Sequence, residues 1–516
     1  MSAAETQRRD RRALALAGST SGLATVTFML ATRNARGTDA PIELLGNAML
    51  QAMPLGIFTF MLETFQHAAK PMLLASLSVG VVLAGGILGT LSRGALARRT
   101  WRRMLLRVFG YTTGIWAPLA ILLVVIASFG TTVPLDTPRL TTLALWLAAD
   151  ALAYSVALHF CAPVLGAMLA PRSTQVDVDA PAVDQSRRRL LAASVGGLIV
   201  ATGLGLSGAF IRDVYRGGAG GKRGVIPEPI TPVGQFYIIS KNFSDPRVDV
   251  DDWELQLSGL LDKPRVLTHD DLLGYPQVTQ LTTLTCISNQ IGGDLIGNAE
   301  WTGVRLADLL LGAGLQSGTV KLALYAHDGY TESMPLSKAL ESTTLLVHAM
   351  NGEPLTARHG RPARLIVPGK YGIKNVKWVR RIDAVAGDFR GFWQQRGWTD
   401  DATIQTMSRI DVPRSREIIG LDAIEIGGVA FAGDRGISRV EWSADGGVTW
   451  READVIEQVA ALSWVIWRST WNPTRRGSHR LVVRATDGRG ETQPEERQSP
   501  IPDGATGLHG IDVGVA

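Results

Sequence analysis

Hydrophobic positions follow two regimes along the chain. Up to about residue 210 they gather into uncharged runs: Ala13 to Ala31, Pro71 to Leu91, Gly110 to Gly130 and Leu190 to Phe210. Each is close to the ~20 residues that an α-helix needs to cross a bilayer, and all four are expected to be transmembrane helices. Leu140 to Leu169 is longer and carries Asp150, His159 and Pro163, so it reads as a fifth, less regular span whose polar residues face other helices. Ile42 to Phe65 is apolar over much of its length but holds Glu43, Asn47, Gln51, Pro54 and Glu63. Arg8, Arg9, Arg11 and Arg12 form one basic cluster, and Arg93, Arg98, Arg99, Arg102, Arg103 and Arg107 form another. Both should stay cytoplasmic, which requires an even number of crossings between them. Ile42 to Phe65 is therefore assigned to the outer interface or to a re-entrant segment, giving about five spans rather than six.

After residue 212 the long runs stop. Gly217 to Pro232 is Gly/Pro-rich and aperiodic, a linker pattern. Short β-like runs then appear at Phe236 to Ile239, Trp253 to Leu257, Leu322 to Tyr325 and Arg364 to Val367, mixed with helix-like runs at Thr268 to Leu273 and Leu306 to Leu311. They lack the regular alternation of a doubly wound sheet, so an α+β domain is expected. Beyond Thr403 the pattern becomes short strands with turn signals, at Ala423 to Phe431, Ile437 to Ser443, Ser463 to Ser469 and Arg480 to Ala485. That spacing predicts an immunoglobulin-like β-sandwich, with Trp442, Trp450, Trp464, Trp467 and Trp471 in its core and edges. The expected organisation is a transmembrane region over 1–212, a linker over 213–234, an α+β domain over 235–402 and a sandwich over 403–516.

Composition agrees with a membrane portion: 46% of the 516 residues are hydrophobic and 19% charged, with mean hydropathy +0.12. The net charge of +5 does not call for a nucleic-acid partner, because many of the arginines act as topology signals. Ser186-Arg187-Arg188-Arg189-Leu190-Leu191 resembles a twin-arginine export signal, with Leu190 in place of the consensus Phe and Ala192 in place of Lys. Three arginines before a span are also what the positive-inside rule produces unaided. Either reading places the chain after Arg212 outside the cytoplasm.

The two cysteines, Cys161 and Cys286, fall on different sides of the expected membrane boundary, which argues against a disulfide and against a Cys-rich zinc site. Three readings of Cys286 are open from its residue type: a buried small hydrophobe, a nucleophile with a His partner, or a single thiolate ligand to a metal held mainly by a cofactor. Its surroundings narrow them. Cys286-Ile287-Ser288-Asn289, then Gly292-Gly293 and Gly297-Asn298-Ala299-Glu300-Trp301-Thr302-Gly303-Val304, resembles the molybdopterin-binding core of the sulfite oxidase family. Met350-Asn351-Gly352-Glu353-Pro354-Leu355, His359-Gly360, Arg364 to Gly369 and Gly372 to Trp378 resemble the pterin-binding stretch of the same family.

The resemblance runs from about Phe236 to the C-terminus. It implies a molybdenum-molybdopterin cofactor, with Cys286 as the metal ligand and Asn242, His359, Arg364, Asn375, Val376 and Lys377 holding the pterin and its phosphate. Tyr330 sits where sulfite oxidases carry an active-site tyrosine, and Lys241 where they carry an arginine; Ser288 before Asn289 is a second departure. Lysine presents a point charge rather than a bidentate fork, which puts sulfite itself in question while leaving oxo-transfer chemistry intact. The chain is thus expected to be a molybdopterin-dependent oxidoreductase of sulfite oxidase or sulfoxide reductase type in a bacterial cytoplasmic membrane. Its catalytic domain would lie on the outer side, acting on a small oxyanion or sulfoxide. Because Cys-x-x-Cys-His is absent from the sequence, electrons would pass to a separate carrier, a cytochrome or a quinone-linked membrane protein, and the sandwich implies a homodimer. A binding protein using the sandwich without catalysis is the alternative, and a transporter is disfavoured by the scarcity of intramembrane charge.

Overall fold

The computed structural model of the protein describes residues 2–32, 40–65, 68–92, 105–115, 117–118, 121, 137–169, 205, 224–243 and 245–516. The chain divides into two compact units, Met1–Arg216 and Gly217–Ala516.

Among the described residues of the first unit, three helices are long and apolar enough to cross a membrane: Ala3–Thr32, Ala69–Leu91 and Thr141–Gly166, the last lying within the helix Thr137–Met168. The first two pack through small residues. A Cβ at Gly18 would lie 2.2 Å from the Gly85 carbonyl oxygen, one at Gly22 2.8 Å from that of Val81, and one at Gly89 2.3 Å from that of Leu14. The contact partners fall in number as the first helix rises, so the pair is antiparallel and backbone meets backbone as in small-residue membrane seams. Ile42 to Phe65 folds as two helices, Pro41–Ala52 and Leu55–Phe65, of 12 and 11 residues. Pro54 separates them, since proline drives the residue before it out of the α region and Met53 is extended. Asp150 and His159 are buried on the third long helix, where the His159 ring stands 5.4 Å from that of Tyr111. Of the expected spans, Gly110 to Gly130 is described only at 110–115, 117–118 and 121, and Leu190 to Phe210 only at Gly205. The arginine motif at 186–191 lies outside the described residues.

The described residues of the second unit form four sheets. One has the order Arg265–Thr268, Glu254–Gly259, Val379–Val385, Lys321–Ala326, Thr331–Pro335. A second runs Val278–Thr285, Ile296–Arg305, Leu345–Met350, Glu353–Pro354, with Arg364–Ile366 also paired to Leu345–Met350. Short helices His269–Leu273 and Leu306–Gly312 help close the first core. Thr268 caps the former by accepting the Asp271 N–H. Phe236 to Ile239, expected as a strand, is irregular. Successive strand residues point to opposite faces, whereas Phe236 and Tyr237 are both buried and stack on one another at 5.3 Å.

Toward the C-terminus, Met407–Val412, Ile424–Phe431, Val465–Trp471 and Val455–Gln458 form a third sheet. Ile418–Ile419, His509–Val515, Gly477–Asp487, Ile437–Ser443 and Arg451–Glu452 form the fourth. One hydrophobic cluster joins the two, with Ile426 and Trp467 from one sheet and Trp442, Leu481 and Ile511 from the other. Trp442, Trp464, Trp467 and Trp471 are buried; Trp450 is half-buried and lies under the Arg484 guanidinium at 4.1 Å. The third sheet is tied back to the second: Thr283 accepts the Trp464 N–H on its hydroxyl at 2.8 Å and donates that hydroxyl to Asn298 at 2.9 Å.

Candidate active site

Cys286 follows directly on the strand Val278–Thr285, and hydrogen bonds fix the turn that carries it. Its N–H donates to the Leu295 carbonyl at 3.0 Å, its own carbonyl accepts the Asn289 N–H at 3.0 Å, and the Asn289 side chain accepts the Leu295 N–H at 3.0 Å. The thiol is buried at 6% exposure, with the Ser288 hydroxyl 3.0 Å from the sulfur. Burial pushes the thiol pKa up, and hydrogen bonds from Ser288 and the Ile287 backbone pull against it. A metal cation at the sulfur would favour the thiolate instead. Gly372 allows the next loop to come close: a Cβ there would lie 3.1 Å from the Tyr237 hydroxyl and 3.7 Å from Cys286 Cα.

The cavity wall also carries basic residues. Arg358, His359, Arg364 and Lys377 line the same cavity as Cys286. Arg364 donates to the carbonyls of His359 and Asn375 at 3.2 Å each, and its guanidinium stands 5.1 Å from the centre of the Trp301 ring. Among the described residues its Nε has no hydrogen-bond partner. Lys377 donates to the Ser240 hydroxyl at 2.9 Å and to the Arg358 carbonyl at 3.1 Å. Gly360, at φ +107°, lets this pair of cations converge, because a Cβ there would lie 3.0 Å from that of Lys377 and 3.1 Å from that of Arg364.

The crowding of positive groups is visible in their protonation. Burial, with Arg364 next in importance, holds His359 down to about 4. Burial pulls Arg364 down to about 10 and Lys377 down to about 8, the latter partly offset by Asp245. Burial disfavours the charge on all three, and Arg364 further lowers His359 and Lys377; a phosphate-bearing ligand would supply the negative charge that offsets this.

At the third side, Lys241 donates to the Asn242 side chain at 2.6 Å and lies 3.3 Å from the Asp328 carbonyl oxygen. Tyr330, Asp328 and Trp393 complete this edge. Eight expected residues, Lys241, Cys286, Tyr330, His359, Arg364, Asn375, Val376 and Lys377, thus line one cavity. Asn242 stands behind it, bonded to Lys241 and the Asp328 carbonyl. The Asn375 side chain is spent within its own loop, accepting the Val367 N–H at 2.7 Å and donating to the carbonyls of Lys370 and Tyr371. Tyr237, Arg358 and Trp393 were not anticipated. Arg358 adjoins His359 inside a stretch already singled out, whereas neither Tyr237 nor Trp393 carries a local signal.

A buried soft sulfur in one cavity with Arg358, Arg364, Lys377 and a neutral His359, the Arg364 Nε lacking a partner among the described residues, fits a molybdopterin: thiolate for the metal, the three cations for the phosphate. Comparison with known proteins decides the matter. Residues 242–393 match the family described as "Oxidoreductase molybdopterin binding domain", and 400–501 match "Mo-co oxidoreductase dimerisation domain". The chain is 35% identical over 150 residues to the "Uncharacterized oxidoreductase YuiH" of Bacillus subtilis, covering 29% of this chain and 74% of that protein. It is 28% identical to the sulfite oxidase of Arabidopsis thaliana, over 52% of this chain and 84% of that one. The chain belongs to the sulfite oxidase family. It is a molybdopterin-dependent oxidoreductase, and its cofactor is molybdenum bound to molybdopterin. Among solved structures, the sulfane dehydrogenase SoxCD of Paracoccus pantotrophus is similar, at TM-score 0.50 and 26% identity, over 56% of this chain and 82% of that one. Against the mitochondrial sulfite oxidase of Homo sapiens the match spans 57% of that protein. The family match begins at residue 242 and leaves the apolar N-terminal unit outside it.

Proposed function

We propose that this sulfite oxidase family member is a membrane-anchored enzyme that transfers an oxygen atom to or from a small oxyanion or sulfoxide on the outer side of a cytoplasmic membrane. The observation that carries the reading is the convergence of Cys286 with Arg358, His359, Arg364 and Lys377 on one cavity. Cys286 holds the metal, and His359, Arg364 and Lys377 hold the pterin and its phosphate. When bound, the cofactor supplies the two-electron exchange that accompanies oxygen transfer. In the oxidising direction, substrate and water give oxygenated product, two protons and two electrons, and the electrons leave to a separate carrier. Lys241 at the cavity edge attracts an anionic substrate as a point charge, beside Tyr330.

The membrane anchor is supported by the three long apolar helices. The antiparallel pairing of Ala3–Thr32 with Ala69–Leu91 sets the Arg8 to Arg12 end of the first helix beside the end of the second that precedes the Arg93 to Arg107 cluster. That arrangement suits two crossings with both clusters inside. Export through the motif at 186–191, the domain limits at 212, 234 and 402, and an immunoglobulin-like grouping of the two C-terminal sheets belong to the same proposal. The match to a dimerisation domain supports a homodimer.

The experiment is elemental analysis of detergent-purified protein from a host that makes the pterin and exports folded proteins, with Cys286→Ala in parallel. About one molybdenum per chain is expected in the parent. The variant should lose turnover of sulfite and of sulfoxides with artificial electron carriers. Normal turnover in the variant would defeat the ligand assignment, and absence of molybdenum from the parent would defeat the proposal.

A further inference from the structure

Glu332, on the strand Thr331–Pro335, is fully buried one layer behind the cavity. Both of its oxygens collect donors. Oε1 accepts the Ser333 N–H at 2.8 Å and the Lys374 ammonium at 2.9 Å. Oε2 accepts the Tyr330 hydroxyl at 2.8 Å and the Gln394 amide at 3.2 Å. A carboxylate so surrounded acts purely as an acceptor. Lys374 in turn reaches the Ser333 carbonyl at 2.9 Å and Asp400 at 3.1 Å, which keeps a positive charge against Glu332. Burial pushes the Glu332 carboxyl pKa up, and Lys374 and the Ser333 N–H offset only part of that rise.

The Tyr330 hydroxyl also lies 3.0 Å from the Ile373 carbonyl oxygen. A phenol has one proton, and here two acceptors compete for it. Among the described residues no donor reaches the Tyr330 oxygen, which therefore keeps its lone pairs. We infer that Glu332 is a positioning residue that sets the polarity of Tyr330: by holding the phenol proton it makes Tyr330 a hydrogen-bond acceptor toward the cavity. Tyr330 then receives a proton-bearing group, a water or a protonated substrate oxygen, while Lys241 meets the anionic oxygen. This assignment of roles rests on the cavity being the reaction site; the polarity of Tyr330 itself does not.

Glu332→Gln tests it. The new carbonyl should face the Lys374 ammonium, which turns the amide N–H group toward Tyr330 and fills its lone pair; Gln394, whose Oε1 has no partner among the described residues, can flip to fit. In ultraviolet Raman spectra of the purified full-length protein, subtracting the Tyr330→Phe spectrum isolates the Tyr330 Fermi doublet, whose intensity ratio reports donor or acceptor character. A donor ratio is expected in the parent and a shift toward mixed character in Glu332→Gln; an unchanged ratio overturns the inference, whether or not the enzyme turns over. With sulfite and an artificial electron acceptor, kcat should fall about tenfold in Glu332→Gln and show no further fall when the change is added to Tyr330→Phe. An additive loss would mean that Glu332 does not act through Tyr330. If Glu332→Gln does not fold, Glu332→Asp keeps the charge facing Lys374 while drawing the carboxylate back from Tyr330. A smaller shift of the same sign is then expected, and none overturns the inference.

Discussion

His359 shows how one residue type takes its meaning from its neighbours. Its ring nitrogen meets the Val233 carbonyl oxygen at 3.2 Å and its ring stands edge-on to Phe236 at 5.7 Å. Burial, helped by Arg364, Lys377 and Arg358 nearby, holds its pKa down to about 4. The unfolded chain therefore binds a proton below the ordinary value of 6.5 that the folded, cofactor-free protein refuses. Its stabilising contribution is present above pH 6.5 and is lost as pH falls toward 4, by roughly 3 kcal/mol. Denaturant titrations of cofactor-free protein across that window should show the loss, and His359→Gln should flatten it. The motif around His359 could be read from the chain because its Gly and basic spacing is local. Glu332 could not: it sits two residues from Tyr330 in an ordinary strand pattern, and its importance comes from Lys374 and Gln394, which are 42 and 62 positions away.

Elements with a strong period were legible, and those held by contact were not. The strand Ile437–Ser443 and the helix Leu306–Gly312 fall within a residue of where alternation and helical spacing put them. Phe236 to Ile239 misled because its aromatic content suits a strand, while its two leading rings stack together beneath the cavity. In the N-terminal unit, the apolar runs announced the long helices, but the seam that joins Ala3–Thr32 to Ala69–Leu91 depends on glycines facing glycines. Gly85→Ile should disrupt that seam, since even a Cβ at Gly85 would lie 2.6 Å from the Gly18 carbonyl oxygen. Thermal unfolding in detergent, followed by helical circular dichroism, should report a destabilisation of roughly 1–3 kcal/mol. An unaltered transition would show that the two helices do not pack this way.

For the molecule as a whole, the family places a dimerisation domain at residues 400–501, and a homodimer is expected. Light scattering of the detergent-solubilised protein, corrected for bound detergent, should give twice the chain mass of 55.4 kDa; a single-chain mass would reject the dimer. The linear chain already separated an apolar N-terminal part from a mixed α and β part, because a bilayer-length run and a two-residue alternation are properties of neighbours in sequence. It also singled out Cys286, Arg364 and Lys377, which line one cavity, because their glycine-rich surroundings are local motifs. Folding alone decided that Asn375 spends its side chain on its loop, that Asn242 stands behind Lys241, and that Glu332 accepts a hydrogen bond from the Tyr330 hydroxyl. Each of these depends on which donors and acceptors meet across distant strands, and hydrogen bonds form only over the last few ångströms of packing.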